Sequence, residues 1–431
     1  MKQPTRRRFL KRSCKAAFAA GAALAASPLA FPGAPGSGER VRVAVIGIRG
    51  RGRNHASGFA AIAGAEVAAV CDVDSRLLPE VQAETAAAQK KKPDAVQDFR
   101  RLLDDKSIHA ISIATPDHWH ALATILGCVA GKDVYVEKPC SHNIREGRAM
   151  VDAARKLGRV VQHGTQSRSG ETFLSAREFL RKGELGRILV AKVINSQLRD
   201  DIGRKSEEPV PPGVDYDLWL GPAPKRPFHP NRFHYNWHWH WDYGTGDLGN
   251  DSVHPIDYAR WMLGVEDPIA VSASGTKLHF RDDQETPDTQ HITWEFEGCH
   301  LVSELKIWCP YREHGMENGA VFYGENGYMT LSPQGWQVIW KDNKPGARGE
   351  PSSRQERHFQ NFIDCVRSRA KPNADILEGH LSSRLCHLGN IAMRVGRRLR
   401  FDAKTESFIG DEEANRLLGR DPRPGFELPK V

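Results

Sequence analysis

Short apolar runs alternate with helix-like stretches along the first part of the chain. Val41, Val43, Val45 and Ile46 form a β-branched run that stops at Gly47. Such a run predicts a strand buried on both faces. GFAAIAGA follows with the composition of a helix, and EVAAVCDVD repeats the strand pattern. An alanine-rich helix and the helical fragment QDFRRLLDD come next. IHAISIATP, DVYVEKP and RVVQHGTQSR then read as strands, separated by helices up to Gly131 and around 145–157. This alternation predicts a doubly wound parallel sheet of about six strands.

Beyond about residue 170 the pattern changes. RILVAKVINSQ, PIAVSASGTKL, QHITWEFEG, HLVSELKIW, AVFYGENGYMTL and WQVIWK are strand-like with few helices between them. They predict a large, mostly antiparallel sheet in an α+β domain, with one face closing over the first. Residues 209–261, rich in Pro, Trp, His and Asn, are too aromatic for a linker and too irregular for one element. A long ordered loop of this kind usually carries function. HFQNFIDCVRSR and 377–397 are amphipathic helices, and the Pro-rich tail from Asp421 is expected to wrap the surface. The boundaries expected are 1–38, a leader and linker; 39–168, a dinucleotide-binding domain; and 169–431, a substrate domain with C-terminal helices and tail.

The first strand ends in Gly47, Arg49, Gly50, Arg51 and Gly52, a departure from G-x-G-x-x-G because Arg49 takes the second glycine's place. Glycines there allow a tight turn and close approach of a pyrophosphate to the helix N-terminus. Asp72 ends the second strand 20 residues past Gly52, where an acid can hydrogen-bond the adenosine ribose. NAD is favoured over NADP because Asp72 would repel a 2′-phosphate; Arg49, Arg51 and Arg53 leave NADP open. Thr115, Pro116, Asp117, His118 and His120 end the strand IHAISIATP, where strand C-termini line the ligand crevice. Glu137, Lys138 and Gln166 follow later strands and complete the expected cofactor set.

Charge alters one part of this picture. The formal charge is +8, but seven basic residues and no acid fall within residues 1–38, leaving +1 for the rest. Composition therefore gives no support to a nucleic-acid-binding surface. TRRRFLK at residues 5–11 matches a twin-arginine export signal, and 16–30 is a short apolar region. The expectation is an exported, periplasmic protein, delivered by the twin-arginine machinery, with no membrane span once mature. Eight cysteines include Cys14 in the leader; the other seven show no C-x-x-C spacing. Zinc clusters and a disulfide framework are not expected, although Cys299 and Cys309 could bridge in an oxidising compartment.

Two residues suggest acid–base chemistry. Lys138 follows an apolar strand and precedes a proline, which biases its backbone towards an extended form. There it could orient a hydroxyl or carbonyl, or move a proton. In GDLGNDSVHPIDYARW, Pro255 is tolerated only near a helix start, so Asn250, His254 and Asp257 are expected on one helical face. His254 could take a hydroxyl proton, or be a buried histidine satisfied by Asp257. His234, His238, His240, His254 and Asp257 could ligate zinc, but no ordered ligand set appears and no metal is expected. The interleaved tryptophans suit sugar C–H faces better. Arg168, Arg232, His234, Trp237, Tyr243 and His254 form the expected substrate set, with 232–243 helping to cover the cleft.

The glycine turn, Asp72, ATPDHWHA, VEKP and the HPID helix together resemble the Gfo/Idh/MocA oxidoreductases over nearly everything from Val41 to about Leu418. WLGPAP and NRFHYNWHWHWDYGTGDLGN resemble the exported, twin-arginine branch. The resemblance implies a Rossmann-type first domain holding NAD(P), a polyol or sugar between the domains, a catalytic lysine at Lys138 and a catalytic histidine at His254. Many members carry an aspartate four residues before that histidine, where this chain has Asn250. The expected function is NAD-dependent oxidation or reduction of a secondary hydroxyl on a sugar, polyol or glycoside. Two alternatives stand beside it: a redox-neutral NAD-dependent glycoside hydrolase or lyase, and a non-catalytic sugar-binding protein. A periplasm without a free nicotinamide pool further implies that the cofactor is tightly held, and exposed strands of the second domain imply a homo-oligomer.

Overall fold

The computed structural model describes residues 38–431; the leader, with Arg6, Arg7 and Cys14, lies outside the described residues. The first sheet contains β1 (Val41–Ile46), β2 (Ala65–Cys71), β3 (Asp94–Val96), β4 (Ala110–Ile113), β5 (Asp133–Val136) and β6 (Val161–His163). All are parallel, in the order β3-β2-β1-β4-β5-β6. Helices α1 (Arg51–Ala60), α2 (Leu78–Gln89), α3 (Asp117–Val129) and α4 (Ile144–Lys156) connect the strands.

The continuous apolar run of β1 is explained by burial on both sides. Val41, Val43 and Val45 pack on one face with Phe59, Phe359 and Phe362. Ala44 and Ile46 pack on the other with Ile111, Leu122 and Val134. Successive side chains of a strand point to opposite faces, so both must be apolar along most of the strand; Arg42, near its start, is half-buried and pairs with Glu66 of β2. Part of the first face is covered by a late helix, Gln355–Ser368, that the sequence marked as amphipathic without saying where it docks.

The second sheet has ten strands. They are β7 (Ile188–Asn195), β8 (Ala270–Thr276), β9 (Thr289–Phe296), β10 (Cys299–Lys306), β11 (Asn318–Gly324), β12 (Gly327–Ser332), β13 (Gly335–Trp340), β14 (Pro345–Gly349), β15 (Leu399–Asp402) and β16 (Ser407–Phe408). Only β7 and β10 pair in parallel; the other pairings are antiparallel. Along β10, Leu301, Ser303 and Leu305 are buried while His300 faces outward. That alternation belongs to a sheet with one wet face. The buried face packs on α5 (Val253–Leu263) and α7 (Ile376–Val395), where Ile256, Leu385 and Leu388 meet Trp294, Leu301 and Phe322. We label the intervening helix Gln355–Ser368 α6.

Four strands carried no readable signal. β3 is a three-residue exposed edge, β14 and β16 are short edge segments, and β15 is a four-residue strand between β8 and β16. Among the described residues, Cys299 and Cys309 are both free thiols, which corrects the suggested bridge. Residues 209–261 fold as short helical turns, Tyr216–Leu220, Pro230–Arg232, His234–Trp239 and the π-helical Leu248–Ser252, that lead into α5. Among the described residues no helix is long and apolar enough to cross a membrane.

Candidate active site

The glycines after β1 have distinct jobs. Gly47 has φ +81°, and a Cβ there would lie 2.7 Å from the Ala114 carbonyl oxygen. A Cβ on Gly52 would lie 1.9 Å from the Gly47 carbonyl oxygen, so only glycine lets α1 start this close to the strand. Gly50, the residue before α1, has open space around it. Asp72 follows β2 and caps this turn: its Oδ2 accepts from the Ile48 amide at 2.8 Å and its Oδ1 from the Asp74 amide at 3.0 Å. Burial pushes its pKa up to about 6, against the opposing pull of those two amides.

These residues border a cleft of about 360 Å³, also lined by Arg49, Thr115, Pro116, His120 and Lys138. Phe233, His234, Tyr235, Trp237 and His238 form its other wall. An open glycine at a helix N-terminus, an unpartnered buried Nη2 on Arg51 and a ribose-ready carboxylate fit a dinucleotide. Arg53 is held by Glu80 and Glu84, and Arg51 by Glu137, so neither is free for a 2′-phosphate.

Glu137, which follows β5 and lines the cleft, is a buried hub. Its Oε1 accepts from Arg51 Nε at 2.8 Å and lies 3.0 Å from His55 Nε2; Gln166 Nε2 donates to the same oxygen at 3.3 Å. Burial pushes its pKa up, but Arg51 and His55 outweigh that and hold it well below the carboxylate range. The ring nitrogens of His120 lie 2.6 and 2.9 Å from the carbonyl oxygens of Pro139 and Thr115, which ties the ends of two strands together.

Lys138 stands at the cleft end of this hub. Its Nζ donates to the Asn250 carbonyl and, at 2.9 Å, to Asn250 Oδ1; Asn250 Nδ2 donates in turn to Asp247 at 2.9 Å. Asn250 lies within the π-helical turn Leu248–Ser252 and lines the cleft. Four residues on, His254 lines a different, polar cavity of about 310 Å³, together with Gln197, Asp251, Tyr258 and Arg354. Burial, and then the charge of Lys138, push the His254 pKa well below its ordinary value. The ring is therefore neutral, with Nδ1 lacking a partner. Within this segment Asn250 thus lines the cleft and Asp251 and His254 the cavity, and the charge of Lys138 reaches His254.

Several expected site residues lie elsewhere. Asp257 does not accompany His254: it is fully buried, and its carboxylate accepts from Arg168 Nε at 2.9 Å and from Ser382 Oγ at 2.6 Å. Arg168 is locked in that pair and in a second with Glu378, so it cannot meet a substrate. Tyr243 is buried against Trp219. Asp117 is buried with Thr245 donating to it, and burial lifts its pKa to about 8. His118 faces the Trp219 carbonyl at 2.9 Å, and Gln166 the Glu137 hub. Arg232 lies outside both the cleft and the cavity. Sequence reasoning missed Gln197, Asp251, Tyr258 and Arg354; only Tyr258, one turn past His254, carried a signal. Among the described residues, no three histidine, cysteine or acidic side chains cluster to hold a metal.

A parallel sheet with this glycine turn, joined to a large mixed sheet, is the architecture of an NAD-binding oxidoreductase. The family descriptions agree: "Oxidoreductase family, NAD-binding Rossmann fold" matches residues 41–165, and "Oxidoreductase family, C-terminal alpha/beta domain" matches 201–428. The chain belongs to the Gfo/Idh/MocA family. It is 27% identical over 332 residues to inositol 2-dehydrogenase 2 of Saccharopolyspora erythraea, covering 76% of this chain and 82% of that one. It is 28% identical over 230 residues to levoglucosan dehydrogenase of Pseudarthrobacter phenanthrenivorans, spanning about half (52%) of each. A 155-residue match at 30% identity joins it to a glycosyl hydrolase family 109 protein of Shewanella pealeana, over 35% of this chain and 34% of that one. The WlbA dehydrogenase of Bordetella pertussis, solved with NADH and UDP-GlcNAcA, shares the fold with a TM-score of 0.64 at 21% identity, covering 84% of this chain and 99% of that one.

Proposed function

We propose that the protein oxidises or reduces a secondary hydroxyl of a sugar, polyol or glycoside, with Lys138 and His254 as its acid–base pair. The observation that carries this reading is the segment 250–254, which holds Lys138 through Asn250 at the cofactor cleft and, four residues on, presents a neutral histidine within reach of that lysine's charge. Held by the glycine turn and Asp72 at the cleft, NAD would supply the hydride acceptor or donor. His254 Nδ1, an unpartnered acceptor, takes the hydroxyl proton, and the Lys138 ammonium steadies the oxygen as charge builds on it. Asn250 cannot accept a proton as the aspartate of related chains could. It orients Lys138, receiving from the ammonium and donating to Asp247.

Names of relatives such as levoglucosan and inositol dehydrogenases support a carbohydrate substrate. The glycosyl hydrolase relatives favour, as a second reading, a redox-neutral cycle in which hydride leaves and returns. Export through the twin-arginine route, a cofactor carried along already bound, and self-association rest on sequence reasoning. The test is a screen of sugars and polyols for NADH formation with the mature protein, whose denatured supernatant is checked for NAD by mass spectrometry. Lys138→Met and His254→Asn should each lower kcat roughly 100-fold or more, with NAD affinity nearly unchanged. Near-full activity of either variant would remove that residue from the mechanism, whereas substrate consumption without NADH build-up would favour the redox-neutral cycle.

A further inference from the structure

The polar cavity beyond His254 has an unbalanced charge. Six titratable side chains line it: Asp251, His254, Tyr258, Arg312, Glu317 and Arg354. Arg312 is paired with Glu317 at 2.8 Å. Asp251 is taken by Arg199 at 2.8 Å and by the side chain of Gln197. His254 is neutral, and burial raises the pKa of Tyr258, so its phenol stays protonated. Arg354 remains. Its Nη1 donates to the Ser167 hydroxyl at 3.0 Å, and no carboxylate among the described residues forms an ion pair with it. It is half-buried; burial lowers its pKa from the ordinary guanidinium value and the charge of Arg51 adds to this, while Tyr258 and, without an ion pair, Asp251 oppose it.

A partly desolvated guanidinium without a counter-ion is costly unless something supplies the charge. The neighbouring cation, Arg51, is already neutralised by Glu137 and donates to Gln355 at 2.8 Å; it offers Arg354 no relief. The Tyr258 hydroxyl is buried with no partner, one helical turn past His254. The cavity therefore presents a planar cationic fork and a spare hydroxyl donor near the proposed base. A fork of N–H donors matches a carboxylate in a way it does not match a neutral hydroxyl.

We infer that the substrate is an acidic sugar, a uronate, an aldonate or a glycoside bearing one, with its carboxylate held by Arg354 and Tyr258 while a hydroxyl of the same ring faces His254. This rests on the reading of the protein as a sugar dehydrogenase and narrows its substrate class. Arg354 is a specificity-determining residue: it anchors the acid and takes no part in proton transfer. Asp251, in the same lining, is paired with Arg199 and receives from Gln197, so its charge is already met by a cation.

The NAD-loaded protein is assayed for NADH formation with glucose, galactose and myo-inositol against glucuronate, galacturonate and gluconate. Binding of the same compounds is measured by calorimetry. At least one acid should bind and be turned over with kcat/KM roughly 10- to 100-fold above its neutral counterpart, the range of a charged hydrogen-bonded contact. Arg354→Gln should raise KM for the acid by a similar factor and leave kcat and the neutral sugars nearly unchanged. Arg354→Lys should recover part of the loss, which a merely structural role would not predict. Neutral sugars oxidised as well as the acids, or an acid KM untouched by Arg354→Gln, overturns the inference while leaving the dehydrogenase reading intact. Acid binding that depends on Arg354 without any NADH formation supports the anion site and counts against the dehydrogenase reading. Absence of acid binding in calorimetry overturns the inference outright.

Discussion

Cofactor affinity should depend on pH through one residue, Asp72. Its carboxylate ends β2 at the edge of the cleft, and burial raises its pKa to about 6. A ribose diol donates to the ionised form, so affinity should fall as protons return. For a group of that pKa, about half the carboxylate remains at pH 6 and roughly one-eleventh at pH 5. The NAD dissociation constant should therefore rise about twofold at pH 6 and about tenfold at pH 5, relative to pH 8. The histidines that line the cleft titrate below this window, and Asp117, lifted to about 8, is buried outside the cleft lining. Burial lowers His234 to about 4 and His238 to about 3, and it also lowers His120. Glu137 stays ionised. Calorimetric titration of NAD at constant ionic strength reads the slope, with Asp72→Asn as the control, expected to bind weakly at every pH and to show no slope. The sign also reaches stability. A raised carboxyl pKa favours the fold fully below the ordinary carboxylate range, and that contribution is lost as pH rises through about 6. Saturating NAD should accordingly raise Tm more at pH 8 than at pH 5. Wild-type affinity that is flat from pH 8 to 5, or an equal slope in Asp72→Asn, would refute the placement of Asp72 against the ribose.

Two further outcomes are expected. Asp257→Asn leaves the buried Arg168 guanidinium with only the 3.2 Å contact to Glu378 and should cost about 3 kcal/mol in urea unfolding; NAD affinity of the folded fraction should be unchanged, and a large kcat loss without a stability loss would return Asp257 to the catalytic machinery. Replacing Arg6 and Arg7 by lysine should leave the precursor inside the cell, and normal periplasmic accumulation of that double variant would end the export reading.

The architecture was legible in the chain because its signals are local. A β-branched run ending on Gly47 can be buried on both faces only in a parallel sheet, and the alternation Leu301, Ser303, Leu305 belongs to a sheet with one solvated face. Lys138 before Pro139, and His254 beside a helix-starting Pro255, also announce themselves within a few residues. Short edge strands such as β3 and β14 were silent, since their pairing is set by neighbours distant in sequence. Partnership was not legible at all. Whether Arg168 meets a substrate or Asp257, whether Glu137 faces a cofactor or Arg51 and His55, and whether Arg354 finds a counter-ion depend on which charges converge across 82 to 89 residues or more of chain. Local sequence specifies the backbone conformations and the apolar faces; the energy of a buried charge depends on its three-dimensional neighbours, and those exist only once the two sheets and their helices have packed.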